Sequence, residues 1–310
     1  MPATRDPQEQ RRLEALVGNP TEKLLALKAR IQDQTIRTFA ECEADFLDLL
    51  WTLDFYRSEQ VIPQSRSSVS RRSSTDSGDG LYRSKGNFFS EVMTLILSNK
   101  TTSRLAPRSK VQGFSQTHQI DIAWPGRDGK ILVDPLICCE AKLTGAPAVG
   151  AMKARGGLAD WSNRRKELKF QATDLKLYRQ AANTRINNWD VWRQKATPSV
   201  YTLWAARLED PSQLAKMVSE AQALTSTYSD GVGIFGFVVN VTKSGYAAAS
   251  PSTSVAERVT SLDTVLSRIA GEIQDIMDEN NNQVPAPAAA PKLTASGLDD
   301  EDEADNDALF

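Results

Sequence analysis

An α/β fold, with a mixed central sheet flanked by helices, is the class that this sequence predicts. Two observations carry that expectation. Between residues 85 and 280, runs with helical periodicity alternate with runs that read as strands, as expected where helices cover a sheet. The composition is that of an ordinary globular chain: 310 residues, 40% hydrophobic and 25% charged, with ample material for a core.

The elements follow in order. Residues 8–60 read as helices, because "TEKLLALKARIQ" and "FAECEADFLDLLWTLDFY" place apolar residues at helical spacing and "GNPT" breaks the run. Residues 1–61 are therefore expected to form an N-terminal helical region. Residues 62–84, which contain "SRSSVSRRSSTDSGDG", have almost nothing to bury and are expected to be a flexible loop. "GNFFSEVMTLILSNK" resumes as a helix over residues 86–98. "THQIDIAW" alternates, with Ile120, Ile122 and Trp124 on one face and Gln119, Asp121 and Ala123 on the other. "PGRDGK" is turn chemistry, and "LICCEAKL" is a second strand bounded by Pro135. A basic helix over 163–183 and two apolar strands, "SVYTLWAARL" and "GVGIFGFVVNV", come next. Leu262, Leu266, Ile269, Ile273 and Ile276 then line one helical stripe, which would serve either a homodimer or packing onto its own domain. This helix closes a domain spanning 85–280. Residues 281–310 read as a disordered Pro/Ala linker and acidic tail.

The formal net charge of −2 conceals an uneven distribution. Residues 297–310 hold seven acids and no base, so the remainder is net +5. Such a tail would lie over the chain's own basic surface or dock on a partner protein. Three cysteines, two of them adjacent, do not make a disulfide framework and suggest a reducing compartment. No apolar run reaches the length of a membrane span, and "MPATRDPQEQRR" is too polar for a signal peptide. The expectation is a cytoplasmic protein without a membrane partner.

The chemistry concentrates in "ICCEAKLTG", residues 137–145. Glu140 and Lys142 are two apart on a strand and so project to one side, which is costly beside a buried run unless something there uses them. If residues 125–135 form a long connection, Asp121 lies opposite Glu140 and both reach one divalent ion. A tight turn at "GRDG" would instead place Asp121 opposite Val133 and make Asp134 the relevant acid. Glu91, in the preceding helix, offers a third carboxylate. The unremarkable alternative is a surface ion pair between Glu140 and Lys142, worth little.

These elements together resemble the PD-(D/E)xK nuclease superfamily, which includes many restriction endonucleases and repair nucleases. The similarity lies in Glu91 on the leading helix, Asp121 on one strand, Glu140-Ala141-Lys142 on the next, and a basic helix containing Gln171. It covers residues 85–242 and departs from the motif in having Ile120, not proline, before Asp121. The resemblance implies a restriction-endonuclease-like fold and Mg²⁺ held by Asp121, Glu140 and Glu91, with Lys142 acting on the attacking water and the developing charge.

DNA is the partner this implies. Residues 152–195 carry eleven bases against four acids, among them Lys153, Arg155, Arg164, Arg165, Lys166 and Lys169, with Trp161, Trp189 and Trp192 interleaved. Such a stripe suits phosphate contact, although a solvated helix face over core tryptophans has the same pattern. By the resemblance, Gln171 faces the site. Other chemistries are poorly supplied: His118 is the only histidine, and no Gly-x4-Gly-Lys-Ser/Thr phosphate loop occurs. The expected function is a Mg²⁺-dependent DNA endonuclease of restriction or anti-phage type. The alternatives are a recombination or repair nuclease, and a non-catalytic nucleic-acid-binding protein whose tail recruits replication partners.

Overall fold

Local chemistry sets the first two helices, α1 (Pro7–Val17) and α2 (Pro20–Asp33). Gly18 adopts φ +80, which glycine accepts freely, and its N–H returns to the Glu14 carbonyl to close α1. The Asn19 side chain then caps α2 by accepting from the N–H groups of Thr21 and Glu22, and Pro20 occupies the first turn. The break read in "GNPT" is thus a stop and a start in adjacent residues. The computed structural model describes residues 7–61, 71–101, 103–126, 135–148, 154–159, 161–183, 197–225, 228–249 and 258–283.

The chain is a mixed α/β protein around a seven-stranded sheet. The strands are β1 (Ala106–Gln112), β2 (Thr117–Trp124), β3 (Ile137–Thr144), β4 (Ser199–Arg207), β5 (Gly231–Val239), β6 (Tyr246–Ala248) and β7 (Val259–Ser261). Their order is β1-β2-β3-β4-β5-β6, and β7 also pairs with β5. Pairings β1–β2, β2–β3 and β5–β6 are antiparallel, whereas β3–β4, β4–β5 and β5–β7 are parallel. The remaining helices are α3 (Glu43–Val61), α4 (Arg71–Lys100), α5 (Trp161–Asn183), α6 (Gln213–Thr225) and α7 (Leu262–Gln283).

The two faces of the sheet are covered differently. On one, α2, α3, α4 and α7 bury a continuous apolar core that includes Phe46, Phe89, Ile122, Cys139, Ala141, Leu203 and Leu266. On the other, α5 and α6 cover Trp204, Val232, Ile120 and Cys138 in two smaller clusters. Adjacent cysteines thus separate: burial of Cys139 in the larger core, with Glu140 adding to it, pushes its thiol pKa well up, as suits an inert packing residue.

One expectation changes here. The helix expected over 86–98 begins at Arg71, inside the segment expected to be a loop. The packed portion around Phe88 to Leu97 supplies the nucleus, and extending a formed helix is far cheaper than starting one. The N-terminal region packs against the sheet. Phe39 packs edge-on against Phe235 at 4.9 Å, and Trp51 does so against Tyr246 at 5.2 Å. Lys85 reaches both carboxylate oxygens of Asp54 at 2.6 and 2.7 Å, and the Tyr246 hydroxyl donates to the same group, so α3, α4 and β6 share one buried ion pair. Of the two uses open to the stripe on α7, packing onto its own domain is the one seen: Leu262, Leu266, Ile269 and Ile273 are buried in the larger core. No helix among the described residues is long and apolar enough to cross a membrane.

Candidate active site

The site begins where β2 and β3 part. Their paired residues are Trp124↔Ile137, Ala123↔Cys138 and Ile122↔Cys139, and the next step would set Asp121 against Glu140. Backbone pairing stops before that step. Instead the Ala141 N–H donates to the Asp121 carboxylate at 2.9 Å, so a side chain takes the place of a ladder carbonyl. The other neighbour is interrupted at the same level: β1 pairs with β2 at Pro107↔Ile122 and again at Ser109↔Ile120, and Arg108 between them has φ +47.

The expected alternation of β2 breaks at this point. Ile122 and Trp124 join the larger core, but Ile120 packs with Cys138, Ala172 and Leu175 beneath α5. A strand that changes face between positions 120 and 122 has its irregularity at Asp121. The long-connection register therefore describes this chain, and Asp134 lies outside the described residues.

Glu140 and Lys142 do share a face, the one under α5. Glu140 is 2% exposed, which disposes of the surface-pair alternative. The Lys142 ammonium donates to its Oε2 at 2.6 Å, and the Gln171 amide of α5 donates to its Oε1 at 2.9 Å. Burial raises the pKa of Glu140 to about 7, the Asp121 charge adds to the rise, and Lys142 opposes it. For Lys142, burial acts to lower the pKa, yet Glu140 and Asp121 together more than offset it and the net direction is up. The lysine is held as an ammonium. Its side chain remains 21% exposed, so this end of the cluster opens to solvent.

Glu91 is not part of this arrangement. It projects from α4, the helix on the opposite face of the sheet, and pairs with Lys28 of α2. Among the described residues no group of three His, Cys, Asp or Glu side chains is placed to share a metal ion. Helical spacing identified Glu91 as an acid next to buried residues, but it could not say which face of the sheet the helix would cover.

The basic residues are dispersed. Arg164 pairs with Glu167 at 2.8 Å, Arg165 with Glu220 of α6 at 2.6 Å, and Lys176 with Asp230 at 3.0 Å. Lys169 lies 4.6 Å above the Tyr228 ring, while Lys166 and Arg155 are exposed. Trp161 stacks flat on Trp204 at 3.5 Å in the core, as the solvated-face alternative required. Lys153, Trp189 and Trp192 lie outside the described residues.

Two features beside the site escaped the sequence reading. His118 is buried, and its Nε2 lies 2.8 Å from Oδ2 of Asp174 on α5. Asp174 also accepts from the Ser115 N–H and hydroxyl. Burial would raise the Asp174 pKa, but the hydrogen bonds from Ser115 and His118 outweigh it and hold the carboxyl below its usual range. Asp174 is three residues after Gln171, hence on the same helix face, and His118 is two before Ile120, hence on the same strand face; spacing shows each of these but not their meeting. The second feature is β1, whose "APRSKVQ" buries only Ala106 and Val111 and so shows no strand alternation. The chain matches no family model, and no curated protein or solved structure matches it significantly.

Proposed function

We propose that the chain is a Mg²⁺-dependent nuclease that hydrolyses phosphodiester bonds in DNA, built on a restriction-endonuclease-like version of the mixed sheet. The observation that carries the proposal is the environment of Glu140. A carboxylate that is 2% exposed, crowded by a second carboxylate and answered by a single ammonium, is expensive to maintain. Natural chains keep such perturbed groups at functional sites more than elsewhere.

The donor set suits the ion. Mg²⁺ takes oxygen ligands and commonly binds through one or two carboxylates, filling its other positions with water and substrate phosphate. Asp121 and Glu140 provide two such groups, without Glu91. When bound, the ion would supply a water of lowered pKa and polarise a phosphoryl oxygen. The chain's own contributions follow from the geometry. Gln171 holds the Glu140 carboxylate in one orientation through Oε1. The Ala141 N–H does the same for Asp121 through Oδ2. Lys142 carries its proton on Nζ, so its part is to neutralise charge that develops on the phosphate and to donate to a departing oxygen, not to act as the base.

The test is cleavage of supercoiled plasmid and of single-stranded DNA, with and without MgCl₂. The wild-type chain should cut only with the ion, and Asp121→Asn and Lys142→Ala should each reduce cleavage by about a hundredfold or more. Undiminished cutting by both variants would refute the assignment.

A further inference from the structure

Two phenylalanines stand in solvent close to the site. Phe114, in the β1–β2 turn, is 61% exposed, and Phe170, immediately before Gln171, is 49% exposed. Single exposed apolar residues are ordinary, but these two are held by the same buried pair. The Phe114 N–H donates to the Asp174 carbonyl at 3.1 Å. The Phe170 ring meets the His118 ring edge-on at 5.7 Å, and His118 is bonded to the Asp174 carboxylate. The Phe170 ring and the Phe114 backbone are therefore anchored on α5 and its buried partner, while both rings keep exposed surface.

Their surroundings are cationic. Residues 103–120, which include β1, contain Arg104, Arg108 and Lys110 and no acid. Arg108 and Lys110 are exposed on β1, an edge strand; Arg108 occupies the register level of Asp121, whereas Lys110, opposite Gln119, alternates away from Ser109 and Val111, whose partners Ile120 and His118 face α5. Lys166 is exposed one helical turn before Phe170. Basic side chains on an edge strand also discourage strand addition, which accounts for the cations but not for the two exposed rings.

We infer that Phe114 and Phe170 offer stacking surfaces for unpaired bases, with Arg108 and Lys166 holding the phosphates of a single-stranded nucleic acid that leads to Asp121. Aromatic faces set among cations are the general means of holding single strands, because an unpaired base offers a π-face that a duplex keeps inside its stack. This rests on the nuclease reading for its substrate class and adds a strand preference to it.

The test uses the full chain without divalent ions, so that binding is measured apart from cleavage. A short DNA strand containing 2-aminopurine is titrated against wild type, Phe114→Ala and Phe170→Ala, in parallel with a duplex of the same length. Each substitution should weaken single-strand binding about five- to a hundredfold and diminish the 2-aminopurine signal, with duplex affinity changed less than about twofold. Phe114→Trp and Phe170→Trp should restore binding, which separates lost stacking from a damaged fold. Arg108→Gln with Lys166→Gln should weaken both ligands and flatten the salt dependence. Wild-type single-strand affinity in both alanine variants, equal losses for strand and duplex, or no binding by the wild-type chain would overturn the inference. A chain that cuts DNA while both alanine variants bind single strands normally would retain the nuclease reading and lose this one. Loss of single-strand binding in variants of a chain that never cuts would do the reverse.

Discussion

The two faces of the sheet draw on the same strands for opposite purposes. Cys139 and Ala141 of β3 enter a large apolar core beneath α4 and α7, while Cys138, Glu140 and Lys142 of the same strand meet α5. The first face consists of interlocked rings and aliphatics with one buried ion pair at its margin. The second carries Glu140, Lys142, Gln171, His118 and Asp174 within a single turn or two of α5. Free energy gained by burial on one side is what permits unfavourable groups on the other. A chain with only the second face would be poorly stable, and one with only the first would have no site.

Substitutions should therefore divide by face. Phe89, fully buried against the sheet, should cost about 3–5 kcal/mol of unfolding free energy when changed to Ala, measured by urea denaturation, because it leaves a cavity in the packed core. The folded fraction of that variant should keep its cleavage rate.

Glu140→Gln should do the opposite, and the sign follows from linkage. The pKa of Glu140 is raised from 4.5 to about 7 in the folded chain, so the unfolded chain releases this proton first. Without divalent ions, wild-type stability should fall as pH rises from about 4.5 to 7, by a contribution on the order of 3 kcal/mol. The amide that replaces the carboxyl does not titrate, so the variant should lack that part of the decline and be inactive. Parallel stability–pH curves for the two proteins would contradict the burial of an ionisable acid at this position.

Asp174→Asn should be intermediate, costing about 1–3 kcal/mol, since it disturbs the bonds to Ser115 and His118. Asp174 has a lowered pKa, so its contribution in the wild type is present above the unfolded carboxyl's range and is lost as pH falls through the folded value. The cost of the substitution should accordingly vanish in acid. Glu91→Gln should be the smallest change. Its pair with Lys28 is 37% and 29% exposed, so less than about 1 kcal/mol and no loss of cleavage are expected.

How much of this was legible in the sequence depended on what each signal reports. Period-two and helical patterns report burial, so β3, β4, β5, α5 and α7 could be read, as could the shared face of Glu140 and Lys142. Strand β1 could not, because an exposed edge has no reason to alternate. The short β6 and β7 and the helix α6 also went unread, the strands being only three residues each. Glu91 could not be placed from the sequence because periodicity shows that a helix has a buried side, not which sheet face receives it. The position of Asp121 depended on the length of a connection, which resolved the choice between two registers only when β2 and β3 were seen to pair. The network of His118 and Asp174 joins residues 56 positions apart, a distance over which local pattern says nothing.

On this proposal one cation site lies on the α5 face, formed by Asp121 and Glu140 and independent of Glu91. Calorimetric titration of Mn²⁺, a spectroscopically convenient substitute for Mg²⁺, into four proteins tests it most directly: wild type, Asp121→Asn, Glu140→Gln and Glu91→Gln. Wild type and Glu91→Gln should bind saturably with the same affinity. Binding should be weakened at least tenfold in Asp121→Asn and Glu140→Gln. Loss of the ion in Glu91→Gln, or retention of wild-type affinity in the other two variants, would contradict it.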